Sequence, residues 1–106
     1  MPESFERGAL TEAVFYILLS LHQPMHGYAM MQNIEKLTVG RVMLGPGTLY
    51  GAINALLQKK WIVAVSAERD TRKKEYAITE TGKRVFAGEL DRLRELLRDG
   101  ENVQEG

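Results

Sequence analysis

Residues 45–57 read GPGTLYGAINALL, and this run predicts a helix with a sharp start. Proline suits the first turn of a helix, because the amides of that turn have no partner within the helix in any case. On the side of this helix opposite its apolar residues, small residues surround Tyr50, and we expect the Tyr50 side chain to be exposed. Since glycine adds no side-chain bulk, the backbone of this helix, predicted over 46–60, can approach another surface closely. The apolar residues recur at helical spacing and predict a single core-facing side: Leu49, Ile53, Leu56 and Leu57.

A basic stretch, RDTRKK at residues 69–74, follows this helix after a short interval. It lies between two segments in which apolar and polar side chains alternate, 61–67 and 73–78. Alternation of this kind predicts two short strands. The segment has no Asn-Gly or Gly-Gly pair, so we expect a loop longer than two residues. The sequence therefore predicts a hairpin with a positively charged tip.

Two helices are predicted before residue 45. Residues 10–21 are apolar on nearly all sides, which predicts a helix buried on two sides, with Thr11 as its N-cap and Pro24 as its stop. A second helix is predicted over 27–37. Its apolar stripe is expected to contain Tyr28, Met31, Ile34 and, at its edges, Met30 and Leu37.

A last helix is predicted to begin at the capping residue Thr79, with Gly82 allowing close packing near its start. The order helix, helix, helix, strand, strand, helix predicts a mainly α chain with a small β-hairpin, arranged as a winged helix-turn-helix plus a C-terminal dimerisation helix. We expect the winged helix-turn-helix, the DNA-binding domain, to span 1–78 and the dimerisation helix to span 79–99. Residues 100–106 are expected to form a disordered tail.

Length and composition narrow the class of protein. The 106 residues suit one small domain, and the absence of cysteine excludes disulfides and thiolate chemistry. We expect a cytoplasmic protein, because the N-terminus lacks a signal pattern and no apolar run could span a bilayer. The formal net charge is zero, yet residues 41–74 hold seven basic and two acidic residues. That excess fits a surface for an anion, and it equally fits scattered solvated charges.

The helix over 46–60 and the basic tip carry the candidate nucleic-acid contacts. On the helix, glycine backbone could approach DNA, Tyr50 could contact phosphate or thymine, and Asn54 could read adenine. The alternative is that Tyr50 is half-buried core and Asn54 is merely solvated, with the tip a solvated loop. The predicted DNA-binding residues are Gly47, Thr48, Tyr50, Gly51, Asn54, Arg69, Arg72, Lys73 and Lys74.

The last helix carries apolar residues in a 4-3-4 spacing, typical of a helix–helix seam: Phe86, Leu90, Leu93 and Leu97. A chain this short has little else to cover them, so the seam predicts a homodimer, with a fourth core helix as the alternative. A small-molecule effector pocket is possible where Phe15 and Leu19 would meet Phe86 and Leu90 of the dimer. The alternative is a closed apolar interface.

Metal binding and catalysis find no support in the sequence. His22 and His26 have the spacing of a helical metal pair, but Pro24 lies between them and no cysteine assists, so we expect no metal and no cofactor. The GPG run at residue 45 lacks the lysine of a phosphate-binding loop, and no serine, histidine and acid set stands out. We therefore expect a protein that is not an enzyme and has no catalytic residues.

The chain contains four further motifs: LTEA at 10–13, HGY at 26–28, GTLY at 47–50 and YAITETG at 76–82. Together they resemble the PadR family of bacterial transcriptional regulators, especially its short members. The resemblance implies a homodimeric winged-helix repressor that dimerises through the C-terminal helix and the partner's first helix. It also implies DNA contacts by Tyr50 and by the tip at 72–74. Gly51 stands where the family often has proline, and Lys60 stands where glycine is usual. The last helix lacks the tryptophan against which some short members bind flat aromatic compounds.

These features together predict a PadR-like regulator, most simply a repressor. It would bind an inverted-repeat operator in double-stranded DNA as a homodimer, through helix 46–60 and the wing at 69–74. We expect no membrane partner. The alternative from another class is a winged-helix protein-interaction module that uses Tyr50 and the basic tip to grip an acidic protein.

Overall fold

Helices and strands follow one another in the predicted order, with one strand added. The computed structural model describes residues 8–106, and in that range it contains four α-helices, three short strands and one 3-10 turn. The predicted residues 1–7 of the first domain lie outside the described range. The elements are α1 (Glu12–Ser20), β1 (Met25–His26), α2 (Gly27–Leu37), α3 (Pro46–Gln58), β2 (Ile62–Ala64), the 3-10 turn (Thr71–Lys73), β3 (Glu75–Ile78) and α4 (Glu80–Glu105).

Side-chain caps fix the start of three helices. Thr11 accepts a hydrogen bond from the Val14 amide at 3.1 Å, which begins α1. Thr79 accepts from the Gly82 amide at 3.0 Å, which begins α4. Both caps confirm the sequence prediction. The third cap was not predicted: His26 Nδ1 accepts from the Ala29 amide at 3.1 Å and begins α2.

The strands form one antiparallel sheet in the order β1-β3-β2. The predicted hairpin is present, because β2 pairs with β3 and aligns Ile62 with Ile78. The added strand β1 pairs with the other edge of β3 and aligns Met25 with Tyr76. Strand β1 has only two residues, too few to show alternation, so its pairing with β3 could not be seen in the sequence.

All three helices of the first half contribute to one core under the sheet. The core side of α3 is as predicted. Tyr28 and Leu37 are exceptions on α2, because both are more than half exposed although the stripe was predicted to bury them. Gly27, Met30 and Ile34 are the buried residues of that helix, so its inner face is rotated from the predicted one. The buried apolar residues are Ile17, Leu18, Leu21, Met30, Ile34, Leu49, Ile53, Leu56, Trp61, Ile62, Tyr76 and Ile78.

Helices α2 and α3 end in the same hydrogen-bonded motif, with a non-glycine residue in the left-handed region. Val39 (φ 53°) follows α2, and Lys60 (φ 63°) follows α3. After α3, the Lys60 amide donates to Leu57 O and the Trp61 amide to Leu56 O, which is the Schellman pattern. Lys60 therefore adopts the conformation that glycine usually supplies at this point. Val39 is the more strained of the two, because a β-branched residue rarely adopts a positive φ.

The start of α4 packs tightly on the base of the hairpin that β2 and β3 form. A Cβ built on Gly82 would overlap the carbonyl oxygen of Trp61 and lie 2.7 Å from Ile78 Cγ1. Thr79 adds two bonds to this joint, since its amide donates to Trp61 O at 2.9 Å and its hydroxyl to Lys60 O at 2.7 Å. The predicted close packing at Gly82 is therefore confirmed, and the joint fixes where α4 leaves the domain.

Helix α4 is longer than predicted. It continues through Glu105, so the expectation of a disordered tail at 100–106 was wrong. A single glycine costs a helix only about 1 kcal/mol relative to alanine, and the segment from Gly100 contains no proline, so the helix can pass through Gly100. In the part of the chain that the structure describes, no helix combines the length and apolarity needed to cross a membrane.

Candidate nucleic-acid interface

One face of α3 lies open to solvent. Gly47, Thr48, Gly51 and Asn54 are all exposed, while Leu49 and Ile53 are buried on the other side. A Cβ built on Gly47 or Gly51 would meet nothing within 4 Å. The predicted division of α3 into a core side and an open side with small residues is therefore present, and a flat or convex partner can approach this backbone closely.

The N-terminus of α3 is also open. Its N-cap is Gly45, which provides no side-chain hydrogen bond, whereas Thr11, His26 and Thr79 each cap another helix. Pro46 has no amide proton, so the next amides, those of Gly47 and Thr48, are the free donors of the first turn. Free amides and the helix dipole together attract an anion at such a position.

Tyr50 is not the exposed residue that we expected. It is half-buried and packs against the core, with its ring over Gly27 at the start of α2. A Cβ on Gly27 would lie 2.7 Å from Tyr50 Cζ, so this glycine makes room for the ring. Tyr50 therefore joins α3 to α2, and only part of its side chain faces solvent. The neighbouring Tyr76 is buried, and its burial, with a smaller contribution from Tyr50, raises the pKa of Tyr76 above its ordinary value.

The wing loop is held by its own acidic residues. Glu68 Oε1 accepts from the amides of Arg69 and Asp70, and Asp70 accepts from the Arg72 amide and guanidinium. The hydrogen bonds from Arg72 lower the pKa of Asp70, and the same pairing raises the pKa of Arg72. The 3-10 turn of the loop packs against α2. Part of the positive charge of the tip is therefore already paired within the loop.

The other three cations of the wing differ in exposure. Arg69 and Lys73 are exposed. Lys74, directly before the first residue of β3, is half-buried. The structure thus places the wing and the open face of α3 on elements that both pack against α2.

Sequence reasoning missed Tyr28 as a candidate contact. It lies in the first turn of α2, 59% exposed, two residues after His26, which pairs with Glu75 in the sheet. In helix-turn-helix proteins the first of the two helices crosses the DNA backbone, so an exposed tyrosine at this end is suitably placed for a phosphate. No local sequence signal marked it, because the outward position of Tyr28 depends on the burial of Gly27 under the ring of Tyr50, a residue of another helix.

The predicted dimer seam divides into two halves. Phe86 stacks on Phe15 of the same chain, with ring centroids 4.9 Å apart, and Leu90 is half-buried. Leu93 and Leu97 are 40% and 62% exposed. The first half of the seam therefore belongs to the core of the chain itself, and the second half presents apolar side chains to solvent.

The predicted effector residues do not surround an opening in the described part of the chain, because the rings of Phe15 and Phe86 are in contact. Beside them lies a cavity of about 230 Å³ that Phe15 shares with Leu93 and with polar residues of α1 and α4. Among those polar residues, Glu89 is buried and forms a two-point ion pair with Arg92, with distances of 2.8 and 2.6 Å. The hydrogen bond from Arg92 and one from the Leu10 backbone lower the pKa of Glu89.

The two histidines have separate structural partners. His22 Nδ1 lies 2.9 Å from Leu18 O at the end of α1, and the ring of His22 meets Phe86 edge-on. His26 caps α2. Within residues 8–106, no group of three or more His, Asp or Glu side chains could hold a metal ion.

A three-helix core, a small sheet with a basic loop and an open third helix define a winged helix-turn-helix protein. The chain belongs to the Transcriptional regulator PadR-like family, whose model matches residues 15–88. It is therefore a PadR-family transcriptional regulator and not an enzyme. No curated protein matches the sequence significantly.

Solved structures show the same fold. A transcriptional regulator from Clostridium thermocellum aligns with a TM-score of 0.67 and 23% identity, covering 85% of this chain and 86% of that one. A PadR-family transcriptional regulator from Eggerthella lenta aligns with a TM-score of 0.67 and 23% identity over 86% and 79%. RosR of H. salinarum aligns with a TM-score of 0.63 and 25% identity over 85% and 76%.

Proposed function

We propose that this regulator is a cytoplasmic repressor that binds an inverted-repeat operator as a symmetric homodimer. The open face of α3 carries the proposal. It combines two unobstructed glycines, Gly47 and Gly51, with an N-terminus that no side chain of the described residues caps. In a winged helix-turn-helix this helix enters the major groove.

Each exposed group of α3 has a role in this proposal. The free amides at the start of the helix and the Thr48 hydroxyl bind a backbone phosphate, which sets the register. Asn54, three residues after Gly51 on the open face, reads a base edge. Adenine is the base that the side-chain amide of asparagine pairs with best. Tyr50 contacts DNA only through the exposed part of its side chain, because its ring is fixed against Gly27. Tyr50 therefore mainly orients α3 on α2.

The wing supplies phosphate contacts beside the groove. Arg69, Lys73 and Lys74 are the cations proposed to act directly. Arg72 must exchange Asp70 for a phosphate, so we expect a smaller contribution from it. Phosphate contacts make binding steeply dependent on salt, because each one releases condensed counterions.

The second half of α4 supports dimerisation. This part of the helix, which continues to Glu105, exposes more than a third of each of three apolar side chains: Leu93, Leu96 and Leu97. Two such helices can cover one another, and a twofold dimer places two copies of α3 on successive half-sites about one helical turn apart. We expect Leu93→Glu to give monomers by light scattering and to lose operator binding. Normal dimers of this variant would contradict the assignment of the interface.

Repression follows from occlusion of a promoter by the bound dimer. An effector held by Phe15, Leu19, Phe86 and Leu90 would release it by changing the angle between the two α3 helices. The stacked rings of Phe15 and Phe86 would then have to separate to admit the effector. Unchanged separation of the two wings with and without an inducer would count against this step.

A pair of glycine substitutions tests the DNA-binding face without unfolding the helix. Gly51→Glu adds bulk and negative charge to the open face of α3, and Gly88→Glu makes the same change on α4. Neither side chain meets an obstacle at Cβ, and both replace a poor helix former. Fluorescence anisotropy with duplex DNA is expected to show loss of binding for Gly51→Glu and ordinary binding for Gly88→Glu. Equal affinity of the two variants would refute the proposed role of α3.

A further inference from the structure

A groove of about 380 Å³ lies between the chain leading into α1 and the flank of α3. Its walls are mainly apolar: Leu10, Val14, Ala52, Ala55 and Trp61 line it, with Lys59 at its edge. It is separate from the predicted effector site, with which it shares no residue. Cavities of a few hundred cubic ångströms with apolar walls and a few polar groups are typical of small-molecule sites.

Two small side chains on α3 leave the groove open. Ala52 and Ala55 occupy positions where a leucine would fill the space against Leu10 and Val14. Ala55 is exposed, on the part of α3 that borders the open side. The groove therefore exists because α3 has small side chains at these two positions.

The polar group of the groove is a cation. Lys59 Nζ lies 4.7 Å from the centroid of the Trp61 ring, at the end of α3. Among the ion pairs of the described residues, none includes Lys59. An ammonium group over an aromatic ring, beside apolar walls, suits a ligand that has an apolar body and one negative charge.

The groove lies beside the surface proposed to bind DNA. At about 100° per residue, Ala55, Lys59 and Ala52 lie roughly 40°, 80° and 100° around α3 from Gly51. A ligand in the groove would place negative charge on the flank of this helix. That charge opposes the approach of phosphates to the open face.

We propose that this groove binds a small organic anion with an apolar body, and that its occupancy weakens DNA binding. The first half stands on the groove alone, and the second half rests on the proposed function. By linkage, DNA must weaken binding of the anion by the same factor.

The probe is 8-anilinonaphthalene-1-sulfonate, an apolar organic anion whose fluorescence rises in apolar sites. Titration of the full chain without DNA is expected to show saturable binding. Ala55→Leu, which fills the groove, is expected to weaken it by about tenfold or more. Lys59→Gln is expected to weaken it roughly two- to fivefold, as for a solvent-exposed ion pair. The control is Lys36→Gln, which removes a lysine beside a different surface hollow and should leave binding unchanged.

Several outcomes would overturn the assignment. If Ala55→Leu and Lys59→Gln bind the probe like the unmodified chain, the probe occupies another surface. If binding appears only after residues 1–7 are deleted, the groove is covered by the chain's own N-terminal segment. If it appears only in the Leu93→Glu variant, a second copy covers the groove.

The coupling is measured separately by anisotropy with duplex DNA. Saturating probe is expected to lower DNA affinity by roughly fivefold or more, the usual lower range of coupling between two sites. The probe should have no such effect on Ala55→Leu. Probe binding without any change in DNA affinity would overturn the second half alone, whereas failure of the unmodified chain to bind DNA would overturn the proposed function and leave the groove assignment standing.

Discussion

Substitution of Gly82 by alanine tests the packing of α4 on the base of the β2–β3 hairpin. A methyl group at this position would overlap the carbonyl oxygen of Trp61 and crowd Ile78 Cγ1, which would lie 2.7 Å away. The main obstacle is backbone, so no side-chain rotation can relieve it. That carbonyl also accepts the Thr79 amide at 2.9 Å. Moving it away would therefore also weaken this hydrogen bond from Thr79, the residue that caps α4.

The expected magnitude follows from three contributions. Overpacking of this kind costs about 1–3 kcal/mol. Weakening the bond from Thr79 costs about 1 kcal/mol more. The gain in helix propensity from glycine to alanine offsets about 1 kcal/mol. We therefore expect Gly82→Ala to lower the free energy of unfolding by about 1–3 kcal/mol.

Gly88→Ala is the matched control. Gly88 lies in the same helix, is exposed, and has nothing within 4 Å of a built Cβ. Alanine there should raise the free energy of unfolding by about 1 kcal/mol through helix propensity alone. Urea unfolding followed by circular dichroism, at one protein concentration, measures both variants. Equal stabilisation by the two substitutions would show that α4 does not pack on Trp61 as described.

Four further substitutions test other parts of the fold and site. Val39→Gly is expected to raise the thermal midpoint, because it relieves a positive φ of 53° on a valine that is 91% exposed; a lower midpoint would contradict this account of the helix end. Thr79→Ala should lower the free energy of unfolding by about 1–2 kcal/mol in urea titrations through loss of the cap, and an unchanged urea midpoint would argue against it. The pKa of Glu89 is lowered in the folded chain, so its stabilisation is present at neutral pH and is lost as the pH falls below the ordinary range of a glutamate. Unfolding of Glu89→Gln should therefore depend less on pH between about 6 and 3 than that of the unmodified chain, and identical pH profiles would contradict the ion pair with Arg92. Lys73→Gln should reduce the slope of log affinity against log salt by about 1, whereas an unchanged slope would remove Lys73 from the phosphate contacts.

The order of the elements could be predicted because each signal is local. The caps Thr11 and Thr79 lie beside the helices that they begin, and the alternation of 61–67 and 73–78 lies within the hairpin itself. The core side of α3 follows from spacing within one helix. These features depend on residues a few positions apart, where sequence periodicity is informative.

The features that were missed depend on contacts between distant segments. Strand β1 exists because Met25 pairs with Tyr76, and two residues carry no period of their own. Tyr50 is half-buried because Gly27, on another helix, leaves room for its ring. The same packing buries Gly27 and turns Tyr28 outward. In each case the partner is more than twenty residues away, so local spacing could not reveal it.

The central claim is that the open face of α3 and the basic wing bind DNA with sequence preference. Anisotropy of the unmodified chain with the DNA upstream of its own gene, against an unrelated duplex across a salt series, tests it most directly. The account predicts tighter binding to the upstream DNA and an affinity that falls steeply as salt rises. An affinity for both duplexes that is equally weak and insensitive to salt would contradict it.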